Sequence, residues 1–178
     1  MIINIHGLHS SGENSKYAWL KRNAPRHEIW SPTIDYERAN AHDILSMISE
    51  NIPDEQTGVY ILGSSLGGFF ARIINQMFQD VVAILINPAF APFIGLRGVV
   101  ECQGYLELAA QYLYSDDKNW RNLYVIAGDS DEVIDHEEIT MKMLPPGFDA
   151  MHWIRGGTHQ MPVYSPEISA VLRKILSV

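Results

Sequence analysis

The sequence predicts an α/β fold in which a mainly parallel sheet of about six strands lies between two layers of helices. Short apolar runs alternate along the chain with longer segments of helical spacing. Several of these runs are apolar at every position, as in strands that are buried on both faces. Parallel strands that are joined by helices use right-handed crossovers. The chain is therefore expected to form a three-layer α/β/α sandwich.

Six segments are predicted as strands because they are short and rich in aliphatic and β-branched residues. The run Val59-Tyr60-Ile61-Leu62 is a strong example, whereas residues 27–30 are a weaker candidate. The predicted strands are residues 2–5, 27–30, 58–62, 81–86, 123–127 and 151–154.

Six further segments are predicted as helices because their apolar residues recur at helical spacing. Residues 40–50, for example, carry Ile44, Leu45 and Ile48. Ligands bind at the carboxyl ends of the strands in open parallel sheets, so polar motifs that directly follow a strand are candidates for function. The predicted helices are residues 15–22, 40–50, 66–78, 106–114, 137–143 and 166–176.

Length and composition indicate a single domain over residues 1–178, with a formal net charge of −8. Nucleic acid is not an expected partner of such an acidic chain. Cys102 is the only cysteine, which excludes an intramolecular disulfide. The amino terminus lacks a basic segment, and no apolar run approaches the roughly 20 residues of a membrane helix. We therefore expect a cytoplasmic protein without membrane insertion.

The segment 87–122 is a long connection, and connections of this length are often functional. It is predicted to form a possible small lid. Phe90, Phe93 and Ile94 near its start are candidate substrate-binding residues that would form an apolar rim. The equally weighted alternative is that these side chains only pack the connection against the core.

Gly63-Ser64-Ser65-Leu66-Gly67 matches the G-x-S-x-G pattern between a predicted strand and a predicted helix. A tight strand-to-helix turn strains the central serine and requires small residues two positions before and after it. Ser65 has glycine at both offsets and Ser64 does not, so Ser65 is the predicted nucleophile. A phosphate-binding loop is not expected because no lysine follows Gly68.

A serine nucleophile needs a base, and in this arrangement the chain order is Ser, then Asp or Glu, then His. His159 lies in a turn after the last predicted strand and is the predicted base. His152 lies inside that strand and is interpreted as structural, and His136 at a helix start is interpreted as solvated. Asp131 in the loop after residues 123–127 is the predicted acid, with Asp129 and then Asp135 as alternatives; Asp135 also suits a helix cap.

The oxyanion of acyl transfer needs two hydrogen-bond donors. The expected donors are the backbone N–H groups of Leu66, after the nucleophile, and Leu8, in the loop after the first strand. His6 is interpreted as a brace for that loop. No metal site is expected at His6 and His9 because no further ligands accompany them.

The segments 1–11, 63–69, 86–88, 128–135 and 157–159 together resemble the small bacterial esterases of the YqiA/YcfP-like family. The resemblance covers essentially the whole chain, with its motifs in order. It implies a minimal α/β-hydrolase fold that lacks the first two strands of the full fold, and esterase or thioesterase activity on acyl substrates. By position it implies Ser65, His159 and an acid among Asp131-Glu132-Val133.

The sequence therefore predicts a serine hydrolase that cleaves small-molecule carboxylic esters or thioesters without a cofactor. Two alternatives stay open at this point. One is a non-catalytic binding protein on a hydrolase scaffold, because fold alone does not confer function. The other is an amidase or acyltransferase that uses the same three residues. The sequence leaves the oligomeric state open.

Overall fold

The computed structural model describes residues 1–114 and 118–178. Its centre is a six-stranded sheet in which all the paired strands are parallel. The strands are β1 (Ile2–Ile5), β2 (Ile29–Trp30), β3 (Tyr60–Ser64), β4 (Val82–Ile86), β5 (Leu123–Gly128) and β6 (Met151–Ile154). Their order across the sheet is β2-β1-β3-β4-β5-β6.

The sheet order reverses direction between β1 and β3, because the chain first adds β2 on one side of β1 and then continues on the other side. Ligands of open parallel sheets bind in the crevice at such a switch point. The loop after β1 and the turn after β3 border this crevice. The topology therefore brings the predicted oxyanion loop and the predicted nucleophile to the same position.

Helices flank the sheet, and the predicted mainly parallel α/β architecture is confirmed. Asn14 begins the first helix by accepting hydrogen bonds from the Lys16 and Tyr17 backbone N–H groups at 2.9 and 3.0 Å. The helices are α1 (Ser15–Asn23), α2 (Ala41–Ser49), α3 (Leu66–Met77), α4 (Pro92–Gly95), α5 (Cys102–Leu108), α6 (Met141–Met143) and α7 (Pro166–Leu176). Two π-helical turns, Ala109–Leu113 and His136–Thr140, adjoin α5 and α6.

Alternating side chains of the strands enter two separate apolar cores, one on each face of the sheet. Ile3 and Ile61 pack with α2, α3 and α5, whereas Ile2 and Leu62 pack with α1 and α7. The strands are mostly apolar because both faces are covered, with Asn4, Ser64 and His152 among the polar exceptions.

Four segments differ from the sequence predictions, and one of them is the helix predicted at 137–143, which consists of the π-helical turn His136–Thr140 followed by α6. The second strand pairs only with β1 and is two residues long instead of 27–30. The helix predicted at 106–114 begins earlier, because the Glu101 carboxylate accepts from the Gln103 and Gly104 N–H groups, and it ends in a π-helical turn. The short helix α4 was not predicted, since four residues are too few to show a periodicity.

The connection 87–122 contains α4, α5 and the turn Ala109–Leu113, while its residues 115–117 lie outside the described residues. The possible lid and the single domain over 1–178 stay predictions. In the ranges that the structure describes, no helix has both the length and the apolar character needed to cross a bilayer.

Candidate active site

Ser65 lies at the turn between β3 and α3 with a backbone φ of 51° and ψ of −120°. The crowding around this turn accounts for its glycines. A Cβ at Gly63 would lie 2.4 Å from the Gly67 oxygen, and a Cβ at Gly67 would lie 2.2 Å from the Ile5 oxygen. A strained serine between two closely packed glycines is the geometry that exposes a nucleophile at the end of a strand.

The two neighbouring serines differ in exposure and in contacts. Ser64 is the last residue of β3 and is 8% exposed. Ser65 is half-buried, and its Oγ lies 3.0 Å from His159 Nε2. Of the two hydroxyls, only that of Ser65 has a recorded contact with an imidazole that could accept its proton.

His159 follows β6 and contacts both other predicted catalytic residues. Its Nδ1 lies 2.9 Å from Asp131 Oδ2 and 3.1 Å from Asp131 Oδ1. An ionised carboxylate only accepts hydrogen bonds, so Nδ1 carries the hydrogen in the neutral ring. Nε2 is then free to accept the hydroxyl hydrogen of Ser65, as a general base requires.

The Asp131 side chain is only 1% exposed, and several hydrogen-bond donors of the protein hold its carboxylate. Its Oδ1 accepts from the Val133 and Ile134 N–H groups at 2.8 and 2.9 Å, and its Oδ2 lies 3.0 Å from His136 Nε2. Burial alone would raise the pKa of Asp131. The hydrogen bonds from His159, Ile134 and Val133 outweigh burial and lower this pKa, so the carboxylate is ionised at neutral pH.

The other acids of this loop have different partners. Asp129 Oδ1 accepts from the Gly156 N–H at 2.6 Å. Asp135 caps the turn His136–Thr140 by accepting from the Glu138 N–H at 3.0 Å, which confirms its expected capping position. Glu132 accepts from the backbone N–H of His159 at 3.0 Å. The ring contact that orients His159 comes from Asp131.

Asn87, at the end of β4, connects three segments of the site and was not identified from the sequence as a site residue. Its Nδ2 donates to the Thr158 and His159 oxygens at 2.9 and 3.1 Å, and its Oδ1 accepts from the Gly128 N–H at 2.9 Å. Its backbone φ of 44° is uncommon for a residue other than glycine. Asn87 therefore holds the histidine loop against the end of β5.

The expectation that His136 is solvated is wrong. His136 is 3% exposed, and its two ring nitrogens contact Asp131 Oδ2 at 3.0 Å and Thr140 Oγ1 at 2.7 Å. The spacing of four residues between His136 and Thr140 fits one helical face, but it does not reveal the buried acid beside the ring. His152 lies within β6, as expected.

The two predicted oxyanion donors belong to segments that contact Ser65. Leu66 is the first residue of α3, where a backbone N–H has no acceptor within the helix. Leu8 follows Gly7, and a Cβ at Gly7 would lie 2.9 Å from Ser65 Cβ. The loop after β1 thus passes directly against the serine.

His6 braces this loop, as the sequence analysis expected. The Ile34 N–H donates to His6 Nε2 at 2.8 Å, so Nδ1 carries the hydrogen and donates to the Gly7 oxygen at 2.7 Å. Burial lowers the pKa of His6 despite the bond to Gly7. The neutral ring therefore holds Gly7 near Ser65.

The three predicted rim residues differ in exposure. Phe90 is 2% exposed and belongs to the core, a placement that favours packing over substrate contact. Phe93 is half-buried and packs edge-to-face on Tyr114 with 6.4 Å between ring centroids. Ile94 is 62% exposed. A substrate-binding role for these residues stays a prediction.

Ser65, His159 and Asp131 form a continuous chain of hydrogen bonds that can move a proton from a serine hydroxyl to an imidazole. Leu66 directly follows Ser65 at the start of α3, and Leu8 follows Gly7, where an added Cβ would lie 3.6 Å from Ser65 Oγ. Within residues 1–114 and 118–178, no group of three or more His, Cys, Asp or Glu side chains is arranged to hold a metal ion.

Comparison with protein families finds one model that matches residues 1–173, described as Uncharacterised protein family (UPF0227). The matched residues include every predicted site residue.

Solved structures with a similar fold include hydrolases from bacteria and other organisms. Est1E from Butyrivibrio proteoclasticus with bound ferulic acid is 18% identical, with a TM-score of 0.66 over 99% of this chain and 86% of that chain. The monoacylglycerol lipase of Paleococcus ferrophilus is 12% identical, with a TM-score of 0.72 and coverages of 99% and 93%. The substrate-bound fluorophosphonate-binding serine hydrolase FphF of Staphylococcus aureus is 16% identical, with a TM-score of 0.67 and coverages of 98% and 81%. These similarities identify the α/β-hydrolase fold.

Proposed function

Since the chain belongs to the UPF0227 family and its Ser65 is hydrogen-bonded to His159, we propose that it is a serine hydrolase of carboxylic esters or thioesters. The family match also confirms the resemblance to the YqiA/YcfP-like proteins. The observation that carries the proposal is the 3.0 Å contact between His159 Nε2 and Ser65 Oγ, because it joins a nucleophile to a base.

In the first half of the proposed reaction, Ser65 Oγ attacks the acyl carbon while His159 Nε2 takes its proton. Asp131 stabilises the resulting imidazolium and keeps the ring in the required tautomer. The carbonyl oxygen becomes negative and accepts from the Leu66 and Leu8 N–H groups. His159 then gives the proton to the leaving alcohol or thiol, and the acyl group remains on Ser65.

In the second half, a water molecule attacks the acyl-serine ester. His159 takes a proton from this water, and the same backbone donors hold the second oxyanion. When the tetrahedral species collapses, the proton returns to Ser65 Oγ and the carboxylic acid leaves. The proposed cycle uses only side chains and backbone groups of this chain, with water as the second substrate.

The similar solved structures support ester substrates for this chain. They include a monoacylglycerol lipase, Est1E with bound ferulic acid and a fluorophosphonate-binding serine hydrolase. Acylglycerols and ferulic acid are chemically different. We therefore propose an acyl ester or thioester as the substrate class of this chain and leave the acyl group to experiment.

The matched variants Ser65→Ala and Ser64→Ala test the proposal, because the two serines are adjacent and only Ser65 contacts His159. We expect Ser65→Ala to lower kcat on a short p-nitrophenyl ester by about a million-fold, the scale on which loss of a serine nucleophile acts. Ser64→Ala is expected to retain activity within about tenfold. A fluorophosphonate probe should label wild-type protein at Ser65.

Retained hydrolysis by folded Ser65→Ala would contradict this assignment. Labelling at Ser64 in place of Ser65 would also contradict it. A panel of oxygen esters and thioesters with increasing acyl length would then define the preferred substrate.

A further inference from the structure

A second histidine contacts the carboxylate oxygen that binds the proposed base. Asp131 Oδ2 lies 2.9 Å from His159 Nδ1 and 3.0 Å from His136 Nε2. The side chains of Asp131 and His136 are 1% and 2% exposed, so water does not compete for these bonds. Asp131 thus joins two imidazoles, of which only His159 contacts Ser65.

The hydrogen bonds of His136 determine which of its nitrogens carries the hydrogen. Asp131 is an ionised acceptor, so His136 Nε2 must donate to it. Burial lowers the pKa of His136 despite the bond to Asp131, and the ring is therefore neutral at pH 7. Its Nδ1 consequently accepts the hydroxyl hydrogen of Thr140 at 2.7 Å. Thr140 holds His136 in the tautomer that can donate to Asp131.

The geometry points to His136 as a positioning residue that acts on His159 through Asp131, an inference that rests on the proposed function. The bond from His136 restrains rotation of the Asp131 carboxylate, which fixes the plane in which His159 is held. It also takes up part of the carboxylate's negative charge. Asp131 then holds the imidazolium of His159 less tightly, and this imidazolium gives its proton more readily to the leaving group.

Few charged groups near His136 could change the pH dependence of the labelling rate. The charged or titratable groups that face it are Asp131, His159 and Asp135, which precedes it in the chain. From β6 it faces the uncharged ring of Trp153, at 6.4 Å between ring centroids and an interplanar angle of 71°. Of these three groups, Asp131 is the one whose side chain hydrogen-bonds the His136 ring.

A matched pair of variants separates the effect of the His136 hydrogen-bond donor from the effect of its side-chain size. Glutamine and methionine are similar in length, but only glutamine has an N–H that can reach Asp131. We expect His136→Met to lower the rate of fluorophosphonate labelling at Ser65, and kcat for a p-nitrophenyl ester, about tenfold, because the lost hydrogen bond leaves the Asp131 carboxylate free to rotate and His159 less well oriented towards Ser65. KM is expected to stay unchanged. His136→Gln is expected to recover most of this loss.

The pH profile provides a readout that a purely structural role would not change. Without the donor, Asp131 stabilises the imidazolium of His159 more strongly, so the proton leaves His159 only at a higher pH. The acidic limb of the labelling rate should therefore move to higher pH in His136→Met and return towards the wild-type position in His136→Gln. Thr140→Val should move this acidic limb to higher pH as well, because it removes the hydroxyl that contacts His136. Thr140→Ser keeps the hydroxyl and should leave the limb in place.

Two results would overturn the positioning role. One is a folded His136→Met or Thr140→Val protein with the wild-type rate and pH profile. Thr140→Val keeps the buried volume and carries the test if His136→Met does not fold. The other is a ¹⁵N NMR spectrum in which neutral His136 carries its hydrogen on Nδ1.

The NMR measurement also separates this inference from the proposed function. If wild-type protein shows no labelling and no ester hydrolysis, the proposed function fails, and the positioning role fails with it. The ¹⁵N signals of His136 would still report whether its Nε2 donates to Asp131. If the wild-type protein is labelled normally and the His136 and Thr140 variants show the same rate and pH profile as the wild type, the proposed function stands and the positioning role does not.

Discussion

The acids of the loop after β5 show how contacts separate residues that look alike in the sequence. Asp131 contacts the ring of His159, whereas Asp129 and Glu132 accept from backbone N–H groups of the histidine loop. Both kinds of contact hold His159 in place. Only the ring contact stabilises an imidazolium and selects the tautomer.

We expect Asp131→Asn to lower kcat for ester hydrolysis about 10,000-fold, because an amide donor at this position favours the wrong tautomer of the base. Asp129→Asn should cost less than about tenfold, because an amide oxygen can still accept from the Gly156 N–H. Steady-state kinetics of both variants, with folding checked by circular dichroism, test this expectation. A larger loss in Asp129→Asn than in Asp131→Asn would reassign the acid.

Chain order and local context were enough to predict Ser65, Asp131 and His159, which the structure brings together. They were not enough for Asn87, whose partners Thr158 and His159 are 71 and 72 positions away in the chain. The burial of His136 was missed because it depends on the folding of its own loop, which places the ring against Asp131 five residues earlier, and on Trp153 of β6. Contacts of this kind leave no periodicity in a single sequence.

The turn from β3 into α3 depends on backbone packing more than on side-chain chemistry. A Cβ at Gly67 would meet the backbone oxygen of Ile5 at 2.2 Å, whereas a Cβ at Gly68 would meet the Pro88 ring at 2.8 Å. Ile5 at the end of β1 pairs with Gly63 of β3, so its backbone is held in the sheet. The Pro88 ring belongs to a connection outside the sheet.

We therefore expect Gly67→Ala to lower the free energy of unfolding by about 3 kcal/mol or more, and Gly68→Ala to lower it by about 1–2 kcal/mol. Urea unfolding followed by far-UV circular dichroism measures both values. The two variants differ in the group that the new methyl meets, so each is a control for the other. Equal losses of unfolding free energy in the two variants would contradict this expectation, because they would show that the β1 backbone shifts as easily as the Pro88 ring.

At the scale of elements, long apolar runs and helices with strong periodicity were predicted within a few residues. The helix predicted at 66–78, for example, is Leu66–Met77. The π-helical turns Ala109–Leu113 and His136–Thr140 were read as ordinary helix, because their i to i+5 bonding is not encoded by a 3.6-residue pattern. Strand β2 pairs with Ile2 and Ile3 of β1 and is only two residues long, too short to show an alternating pattern.

Across the whole molecule, buried histidines connect stability to pH. The pKa of His6 and that of His136 are both lowered by burial, so both rings stay neutral in the folded state as the pH falls. In the unfolded chain they take up protons near pH 6.5. The unfolded state then binds more protons than the folded state, and stability decreases as the pH falls below about 6.5.

We expect the unfolding temperature to be lower at pH 5.5 than at pH 7.5, as measured by differential scanning calorimetry. His136→Gln removes one of these titrating groups, so its unfolding temperature should change less between the two pH values. Asp131 adds no loss in this range, because its lowered pKa makes its contribution disappear only at more acidic pH. An unfolding temperature that stays constant or rises towards pH 5.5 would contradict this expectation.

The connection 87–122 leaves the sheet after β4 and returns at β5, which is the neighbouring strand. None of Ser65, Asp131 and His159 lies within it. Doubling the length of a flexible loop costs only about 0.6 kcal/mol in closure entropy. In evolutionary terms, the exposed parts of this segment can therefore lengthen or shorten, while Asn87 and the buried Phe90 keep their contacts and the residues proposed for the chemistry keep their positions. Selection on the length of this connection and selection on the proposed reaction would act on separate parts of the same chain.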